Sequence, residues 1–410
     1  MNPVNRKVTF RMYPTPTQAK ALEETLGLHQ RLYNAALEQR KTAYRRQRTS
    51  VGYAEQCRDL TALRASDPDY AALNAQSAQV TLKRVDLAFA AFFRRVQARH
   101  GKAGYPRFKS LRRFPGWGYK THGDGWRLLP GERMHHGRLR LSGVGTVQIR
   151  GQARTIGEPK TCEIQYKDGR WYASMTVECS PQRQGGTLAA GMDWGIEPFA
   201  TLALSDGTMQ HIDNPRHTRR GLEQLRAAQR ALAKKRRGAK NREKARARVA
   251  RLHQKTTNQR RDFLHQTSAR LIAVLAVLVT EALGIKAMTA NGGTRKRGLN
   301  REILSTAPGL FLQMLRYKAE EAGSWYLEAQ TRRLKPSQTC HRCGRQAKKP
   351  LAERWHTCPC GVSCPRDANS ALVLLHEAVS FGQELAGCGD VAVAASVKHE
   401  TPPTASAWVE

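Results

Sequence analysis

The first hundred residues combine one strand pattern with two helical patterns. Residues 7–13 alternate between polar and apolar side chains, which predicts a β-strand that Pro14 ends. From residue 18 to about residue 99, apolar side chains recur at helical spacing, and the Asp-Pro-Asp segment at 67–69 separates the helices. The first apolar face consists of Leu22, Leu26, Leu32, Tyr33 and Leu37, and the second of Val80, Leu82, Val85, Leu87, Phe89, Phe92 and Phe93.

Short alternating runs follow between residues 126 and 177 and are separated by glycine-containing turns. Two of them, residues 162–166 and 171–177, flank Asp168-Gly169, a dipeptide that favours a tight hairpin turn. Together with the strand at residues 7–13, these runs predict a small β-barrel.

A second set of strands begins near residue 188. Residues 188–193, 199–204 and 209–212 are short runs joined by turns, and they predict three strands. Residues 216–261 are strongly basic and helical in pattern, with a break at residues 237–240 that predicts a helical hairpin.

The sequence patterns that predict the remaining elements are less regular. An apolar run that ends at Glu281 predicts a buried strand, the glycine-containing residues 292–298 predict a flexible loop, and residues 325–329 predict a further strand. A helix is predicted from residue 308 to 323, with Leu310, Phe311, Met314, Leu315 and Tyr317 on its buried side. Beyond Phe381 the periodicity is weak, and we expect a partly disordered tail.

Charge narrows the range of partners. The 410 residues include 69 Lys and Arg against 33 Asp and Glu, a formal net charge of +36. Such an excess predicts a polyanionic partner, foremost nucleic acid. A membrane surface is the alternative, but the longest apolar run, residues 271–279, is far shorter than the ~20 residues that cross a bilayer. The N-terminal residues show no hydrophobic signal core, so we expect a cytoplasmic protein of two or three domains.

Five of the nine cysteines lie between residues 340 and 364. In a reducing compartment such a cluster indicates metal binding more readily than disulfides. Cys340-His341-Arg342-Cys343 has the spacing of a zinc knuckle, and Cys358-Pro359-Cys360 is a shortened partner. The expected ligands of a structural, four-sulfur Zn²⁺ site are Cys340, Cys343, Cys358 and either Cys360 or Cys364, with His341 and His356 as less favoured substitutes.

Three carboxylates occupy element boundaries. Asp193 follows a strand pattern, Glu281 ends an apolar run, and Asp367 begins a helical pattern. Singly, each fits a turn cap, an ion pair or a helix N-cap. Together they predict an RNase H-like sheet in which the three side chains meet. Two Mg²⁺ ions about 3.5–4 Å apart at such a site clamp the attacking and leaving oxygens of a phosphate, and Mg²⁺ prefers these hard oxygen ligands.

With these motifs in order, the chain resembles the TnpB family, transposon-encoded RNA-guided DNA endonucleases related to type V CRISPR effectors. The similarity extends from Arg6 to about His376. It is carried by Gly104-Tyr105-Pro106-Arg107-Phe108-Lys109, the Gly-x-Asp-x-Gly at 191–195, Glu281-Ala282-Leu283, Leu315-Arg316-Tyr317-Lys318-Ala319, the cysteine pairs and Arg366-Asp367-Ala368-Asn369-Ser370-Ala371. The resemblance implies that Asp193, Glu281 and Asp367 form the catalytic, Mg²⁺-binding triad.

The resemblance also implies a multidomain α/β fold with a small β-barrel. A helical recognition lobe is inserted into a wedge barrel, and a RuvC-like (RNase H-like) nuclease domain is interrupted by a zinc-finger insert that binds target nucleic acid. The expected boundaries are 1–14 for the first barrel strand, 15–110 for the lobe, 111–186 for the rest of the barrel, 187–337 for the nuclease with its basic hairpin, 338–364 for the zinc finger, 365–380 for the final nuclease segment and 381–410 for a flexible tail.

The implied partners are a guide RNA from the transposon end and double-stranded target DNA. Guide–target pairing reads the sequence, and the protein reads a short flanking motif. We expect a monomer that binds no membrane and associates with the nucleoid of a prokaryotic cell. The candidate nucleic-acid contacts are Tyr53, Gln56, Gln76 and Gln79 in the lobe, Arg107 and Lys109 in the glycine-aromatic segment, and Lys234, Lys235, Arg236 and Arg237 at the basic hairpin. For the amides, packing against the core is an equal alternative. Trp117, Tyr119 and Trp126 either stack on bases or fill the barrel.

Three other functions compete with a guided transposon nuclease. A compact CRISPR effector nuclease would use the same scaffold. An RNA-guided DNA-binding protein without cleavage is expected to lose triad carboxylates, and this chain keeps all three. A DNA-joining transposase would need a nucleophilic Tyr beside a His-x-His metal site, whereas His135 and His136 are adjacent.

Overall fold

The computed structural model describes residues 3–98, 103–131, 135–152, 157–181, 183–290, 292–350 and 353–387. The chain forms two compact units, Met1–Ser180 and Pro181–Glu410. In the described part of the chain, no helix combines the length and the apolar character needed to cross a membrane.

The first unit is built on a seven-stranded antiparallel sheet. Its strands are β1 (Val4–Tyr13), β2 (Trp117–Tyr119), β3 (Trp126–Pro130), β4 (His135–Leu141), β5 (Gly145–Gln152), β6 (Glu158–Lys167) and β7 (Arg170–Cys179). They pair in the order β2-β6-β7-β1-β5-β4-β3. The N-terminal strand therefore pairs with β5 and β7 at the centre of the sheet, which confirms that it belongs to the same barrel-like unit as the later strands.

One buried core fills this curled sheet. The end strands β2 and β3 contribute Trp117 and Trp126 to the same apolar cluster as Phe10 of β1. Trp117, Tyr119 and Trp126 are at most 3% exposed. They fill the core, and the alternative that they stack on bases is wrong.

The hairpin turn between β6 and β7 has the predicted chemistry. Asp168 and Gly169 both have positive φ, 51° and 77°. Two such residues in succession characterise a type I′ turn, whose twist matches that of the flanking strands.

Four helices of the first unit lie between β1 and β2: α1 (Pro16–Gln47), α2 (Tyr53–Ser66), α3 (Pro68–Ala72) and α4 (Ala75–Gln97). Helix α1 starts where predicted. The side chain of Thr15 accepts a hydrogen bond from the Gln18 backbone N–H, and the Gln18 side chain accepts one from the Thr15 N–H. This reciprocal capping box satisfies two donors that the helix itself leaves unpaired.

A buried polar cluster ties the helices to the sheet. His29 of α1 is fully buried and stacks on Trp117 of β2, with ring centroids 5.5 Å apart. Its Nδ1 lies 2.8 Å from the Thr81 hydroxyl, and Nε2 lies 3.4 Å from Ser77, both on α4. Burial, aided by the charge of Arg84, lowers the pKa of His29 to about 3, so the ring is neutral in the folded protein.

The second unit contains a five-stranded sheet. Its strands are β8 (Leu188–Trp194), β9 (Ala200–Leu204), β10 (Met209–Ile212), β11 (Leu275–Glu281) and β12 (Trp325–Ala329), in the order β10-β9-β8-β11-β12. Strand β11 runs parallel to β8 and β12, whereas β9 runs antiparallel to β8 and β10. All five strands lie where the sequence predicts them.

Helices cover both faces of this sheet. The described helices of this unit are α5 (His217–Arg220), α6 (Leu222–Ala233), α7 (Lys240–Val274), α8 (Ile285–Met288), α9 (Thr294–Thr306), α10 (Pro308–Ala322), α11 (Thr331–Leu334) and α12 (Arg366–Gly387). On one face, Leu278 of β11 packs in a cluster with Leu271 of α7 and Phe311 of α10. On the other, Val277 packs in a cluster with Leu374 of α12. Burial on both faces explains why β11 is a continuous apolar run.

Three boundaries differ from the sequence predictions. Helix α7 continues to Val274, past the predicted end near residue 261, because it buries Leu264 and Leu271 at helical spacing. The predicted loop at 292–298 is helical from Thr294 onwards. Helix α12 continues past residue 380 to Gly387, and Phe381 packs edge-on against Trp325 at 5.4 Å. The remainder of the predicted tail, from residue 388, lies outside the described residues.

Two residues assigned to the buried side of α10 are also placed differently. Leu310 and Tyr317 are 37% and 41% exposed, and Lys318 and Ala319 are buried instead. The Lys318 ammonium donates hydrogen bonds to the His265 carbonyl and the Ser268 hydroxyl, 2.6 Å each, which makes burial of its charge tolerable.

Candidate functional site

The three carboxylates lie on adjoining elements. Asp193 is the penultimate residue of β8, Glu281 is the final residue of β11, and Asp367 is the second residue of α12. Strands β8 and β11 are parallel neighbours with Met192 opposite Thr280, so their carboxyl ends meet at one edge of the sheet. Helix α12 packs on β8 and brings its first turn to that edge.

The charges of Glu281 and Asp367 act on Asp193. All three are partly buried. Burial raises the pKa of Asp193 well above its usual value, the charges of Glu281 and Asp367 raise it further, and the charge of Arg366 opposes them. Burial also raises the pKa of Glu281, again against Arg366. An acidic cluster of this kind lacks sufficient positive charge of its own.

The donor set of this centre suits a hard divalent cation. It offers carboxylate oxygens, excess negative charge and partial exposure that admits water, which are the preferences of Mg²⁺. Among the described residues, the carboxylate oxygens are not all within 4.8 Å of one another, whereas the sulfurs of the cysteine cluster are.

Arg366 is the one charged residue of this centre that was not singled out from the sequence. It is 8% exposed and precedes Asp367 directly. Its guanidinium donates hydrogen bonds to the Pro350 and Glu353 carbonyls, and such partners are what a buried charged side chain requires.

The cysteine cluster has the geometry of a zinc site. The sulfurs of Cys340 and Cys360 are 3.6 Å apart, and those of Cys343 and Cys358 are 3.5 Å apart. A tetrahedron with Zn–S bonds of ~2.3 Å has S···S edges of about 3.8 Å. The four thiols therefore fit a structural zinc ion with little adjustment. Each knuckle closes through a glycine in the left-handed region, Gly344 at φ 72° and Gly361 at φ 88°.

The positions of Cys360 and Cys364 differ in the structure, and only Cys360 lies with the other three cysteines. Cys360 is within the cluster, and a hydrogen bond from the Val362 backbone N–H helps lower its pKa to about 7, which favours the thiolate that binds metal. Cys364 is buried on β14 (Ser363–Pro365), opposite His356 of β13 (Trp355–Thr357), and lies outside the four-sulfur group. His341 is engaged instead by Asn369 of α12.

The amide residues predicted in the lobe are placed differently from one another. The Gln56 side chain is 2% exposed and bonds the Ala36 carbonyl, Gln39 and Arg40, so its role is structural. Gln76 has a buried Oε1 without a partner among the described residues. Of the two alternatives for the amide side chains, packing against the core is the one that holds for Gln56.

Tyr53 and Gln79 are brought together by a lysine that was not predicted. The Lys120 ammonium lies 3.4 Å from both the Tyr53 hydroxyl and Gln79 Oε1. The Lys83 ammonium lies over the Tyr53 ring at 4.9 Å. These four residues, the Tyr53 cluster, combine an aromatic ring, an amide and two cations on α2, α4 and the segment after β2.

Of the two basic candidates in the glycine-aromatic segment, one is exposed and the other packs against the lobe. Arg107 is exposed, whereas Lys109 is held to α1. The Lys109 backbone N–H donates to Asn34 Oδ1, the Lys109 carbonyl accepts from Asn34 Nδ2, and the Lys109 ammonium lies 4.6 Å over the Tyr33 ring. Lys109 therefore packs against the lobe.

Lys234, Lys235, Arg236 and Arg237 are all exposed at the turn between α6 and α7. The guanidinium of Arg242 donates to the carbonyls of Leu232 and Lys235 and fixes that turn. Residues 234–255 contain eleven Lys or Arg and one Glu, so this part of the hairpin carries a large positive charge.

Three family models match the chain. Residues 172–292 match OrfB_IS605, described as a probable transposase, residues 309–374 match the Cas12f1-like TNB domain, and residues 1–49 match a helix-turn-helix domain. The described part of residues 1–49 contains β1 and the continuous helix α1.

Two curated relatives are similar over most of the chain. A Streptomyces pristinaespiralis protein named as an RNA-guided DNA endonuclease is 32% identical over 403 residues, 95% of this chain and 92% of that protein. InsQ of Escherichia coli strain K12, named in the same way, is 27% identical over 334 residues, 77% of this chain and 76% of that protein.

A solved structure shares the fold. The cryo-EM structure of a Cas12f1–sgRNA–target DNA complex aligns with a TM-score of 0.62 at 12% identity, over 92% of this chain and 99% of that chain. The fold of the chain therefore has a counterpart among solved structures.

Proposed function

Because the chain belongs to the TnpB family, we propose that it is an RNA-guided DNA endonuclease that hydrolyses target DNA beside a short flanking motif. The observation that carries this proposal is the convergence of Asp193, Glu281 and Asp367 at one sheet edge, where burial and the charges of Glu281 and Asp367 raise the pKa of Asp193. Carboxyl groups with perturbed pKa values are typical of catalytic sites, and a cation-dependent reaction would use this negative charge.

The triad would hold divalent cations, for which Mg²⁺ is the natural choice. Bound there, the ions supply a metal-activated water and stabilise the charge that develops on the phosphate. The protein's own contribution is to hold three carboxylates at the ends of two strands and a helix. Arg366, buried beside them, limits their repulsion before cations bind.

Guide RNA would bind the basic hairpin of α6 and α7. Its turn exposes Lys234, Lys235, Arg236 and Arg237, and further cations follow along α7. Neutralising this surface by phosphates releases counterions and makes RNA binding strongly salt-dependent. In the first unit, Arg107 is an exposed cation that could contact nucleic-acid phosphates.

The Tyr53 cluster is the site where we place reading of the flanking motif in the target duplex. Gln79 offers an amide that can pair with a base edge, and Lys120 and Lys83 provide cations for adjacent phosphates. Gln76 on the same helix has an unpaired carbonyl oxygen among the described residues.

The deciding experiment is cleavage of a plasmid library that carries one target beside randomised flanks. The protein is co-purified with RNA from its own locus and assayed with Mg²⁺. Asp193→Ala is the test variant, and Asp262→Ala, which removes an exposed acid of α7 outside the centre, is the matched control.

Cutting that requires the RNA, a particular flank and Asp193, and that survives Asp262→Ala, is the expected result. Flank-selective binding without cutting would overturn the nuclease and support a guided DNA-binding protein. Neighbouring CRISPR repeats in the genome would assign the same activity to a compact CRISPR effector.

A further inference from the structure

The residues on either side of Asp367 hold the cysteine-containing insert. Asn369 is fully buried in the first turn of α12. Its Nδ2 donates to the Thr339 carbonyl at 2.6 Å, and its Oδ1 accepts from the His341 backbone N–H at 3.1 Å. Thr339 and His341 are the two neighbours of Cys340. One side chain of α12 therefore fixes the backbone on both sides of a zinc ligand.

Arg366 binds the other part of the insert, the segment that joins the two knuckles. Its Nη1 donates to the carbonyls of Pro350 and Glu353, at 2.8 and 3.2 Å, and its backbone N–H donates to the Arg354 carbonyl. Two residues that flank Asp367 thus hold both parts of the insert, while Asp367 itself faces the carboxylate centre.

The insert has little core of its own with which to maintain this geometry. Its apolar cluster consists of Cys340, Val362 and Cys364, with Cys358 and Cys360 packed against it. Small segments of this kind depend on their metal for order. If the knuckle loosened, the buried Asn369 amide would lose its partners, and an unsatisfied buried amide is costly enough to displace the start of a helix.

We propose that Asn369 is a positioning residue that couples zinc occupancy of the four-cysteine site to the placement of Asp367. Through it, zinc governs how tightly the carboxylate centre binds divalent cations. This rests on the proposed function, since it assumes that Asp193, Glu281 and Asp367 form a cation site.

The test measures Mn²⁺ binding to full-length protein by the EPR signal of free Mn²⁺, with zinc content determined on the same samples. Mn²⁺ stands in for Mg²⁺ and prefers oxygen to thiolate ligands. The variants are Asn369→Ala, Cys343→Ser and their combination. Cys343 is exposed and lies outside α12, so its variant tests the coupling without altering the helix.

Ser370→Ala is the matched control, because Ser370 is the next buried residue of α12 and its hydroxyl has no partner among the described residues. We expect Asn369→Ala and Cys343→Ser each to weaken Mn²⁺ binding about 10- to 100-fold, as loss of supporting contacts does in metal sites. The combined variant should be no weaker than the worse single one, and Ser370→Ala should match the wild type.

Normal Mn²⁺ affinity in zinc-free Cys343→Ser would overturn the coupling. Additive losses in the combined variant would show that Asn369 acts independently of zinc and would also overturn it. Failure of the proposed function has a different signature. In that case Asp193→Ala would leave Mn²⁺ binding unchanged, and there would be no carboxylate site for Asn369 to support.

Discussion

A Cβ atom on Gly191 of β8 would stand 2.2 Å from the carbonyl oxygen of Ala371 in α12. The Leu375 nitrogen would be equally close. Strand and helix thus meet backbone to backbone at this point, two residues before Asp193 and four residues after Asp367. The glycine is needed for this contact, because any side chain would push the helix away from the strand.

Gly191→Ala should therefore separate α12 from β8. We expect a loss of about 1–3 kcal/mol in unfolding free energy from overpacking and, from displacement of Asp367, a loss of DNA cutting of about 100-fold. Gly298→Ala in α9 is the control, since nothing lies within 4 Å of its added methyl group. Wild-type cutting by Gly191→Ala would show that this contact does not set the triad.

Asp193→Asn should stabilise the protein when zinc is bound and Mg²⁺ is absent. The folded-state pKa of Asp193 is raised, so the stability that its protonated form provides is lost as pH rises from the ordinary carboxyl range through that raised value. Thermal unfolding at pH 8 should show a higher Tm for the variant, by at least about 2–4 °C. The difference should vanish below pH 4. An equal shift in Asp262→Asn would contradict this explanation.

Zinc content should distinguish Cys360 from Cys364. Removing Cys360 deletes one corner of the four-sulfur group, whereas Cys364 lies outside it. Cys360→Ala should purify with substoichiometric zinc, and Cys364→Ala should retain one zinc per chain. The reverse pattern would mean that the shortened knuckle opens and that Cys364 completes the site.

His29 should make the first unit sensitive to acid. Its pKa falls to about 3 on folding, so only the unfolded chain takes up its proton between pH 6.5 and 3. Stability is complete above pH 6.5 and should fall by about 1.4 kcal/mol per pH unit across that window. Urea unfolding at several pH values should show a shallower dependence for His29→Gln. His253→Gln, at an exposed position on α7, should follow the wild type.

Much of the second unit could be predicted because its sequence signals are local. Strands β8 to β12 are short runs that turn or loop residues bound. The knuckle at Cys340 and Cys343 has a spacing that few other structures produce. The carboxylates could be predicted as site candidates because each stands at the boundary of a predictable element.

The features that the sequence leaves open depend on contacts between distant residues. Burial of Trp117 follows from its stacking on His29, 88 positions earlier in the chain. Gln56 bonds α1 at Ala36 and is withdrawn from solvent, although its own helix pattern gives no sign of it. The assignment of Cys360 over Cys364 required the fold of the insert, since spacing alone permits either.

Helix α7 passes directly into β11 between Val274 and Leu275, without a connecting loop. Its 35 residues span about 52 Å. The cationic turn before α7 is therefore connected to Glu281, at the end of β11, by continuous secondary structure. The RNA site that we propose at the turn and the cation site that we propose at Glu281 are therefore held at a separation that the rise of the helix fixes.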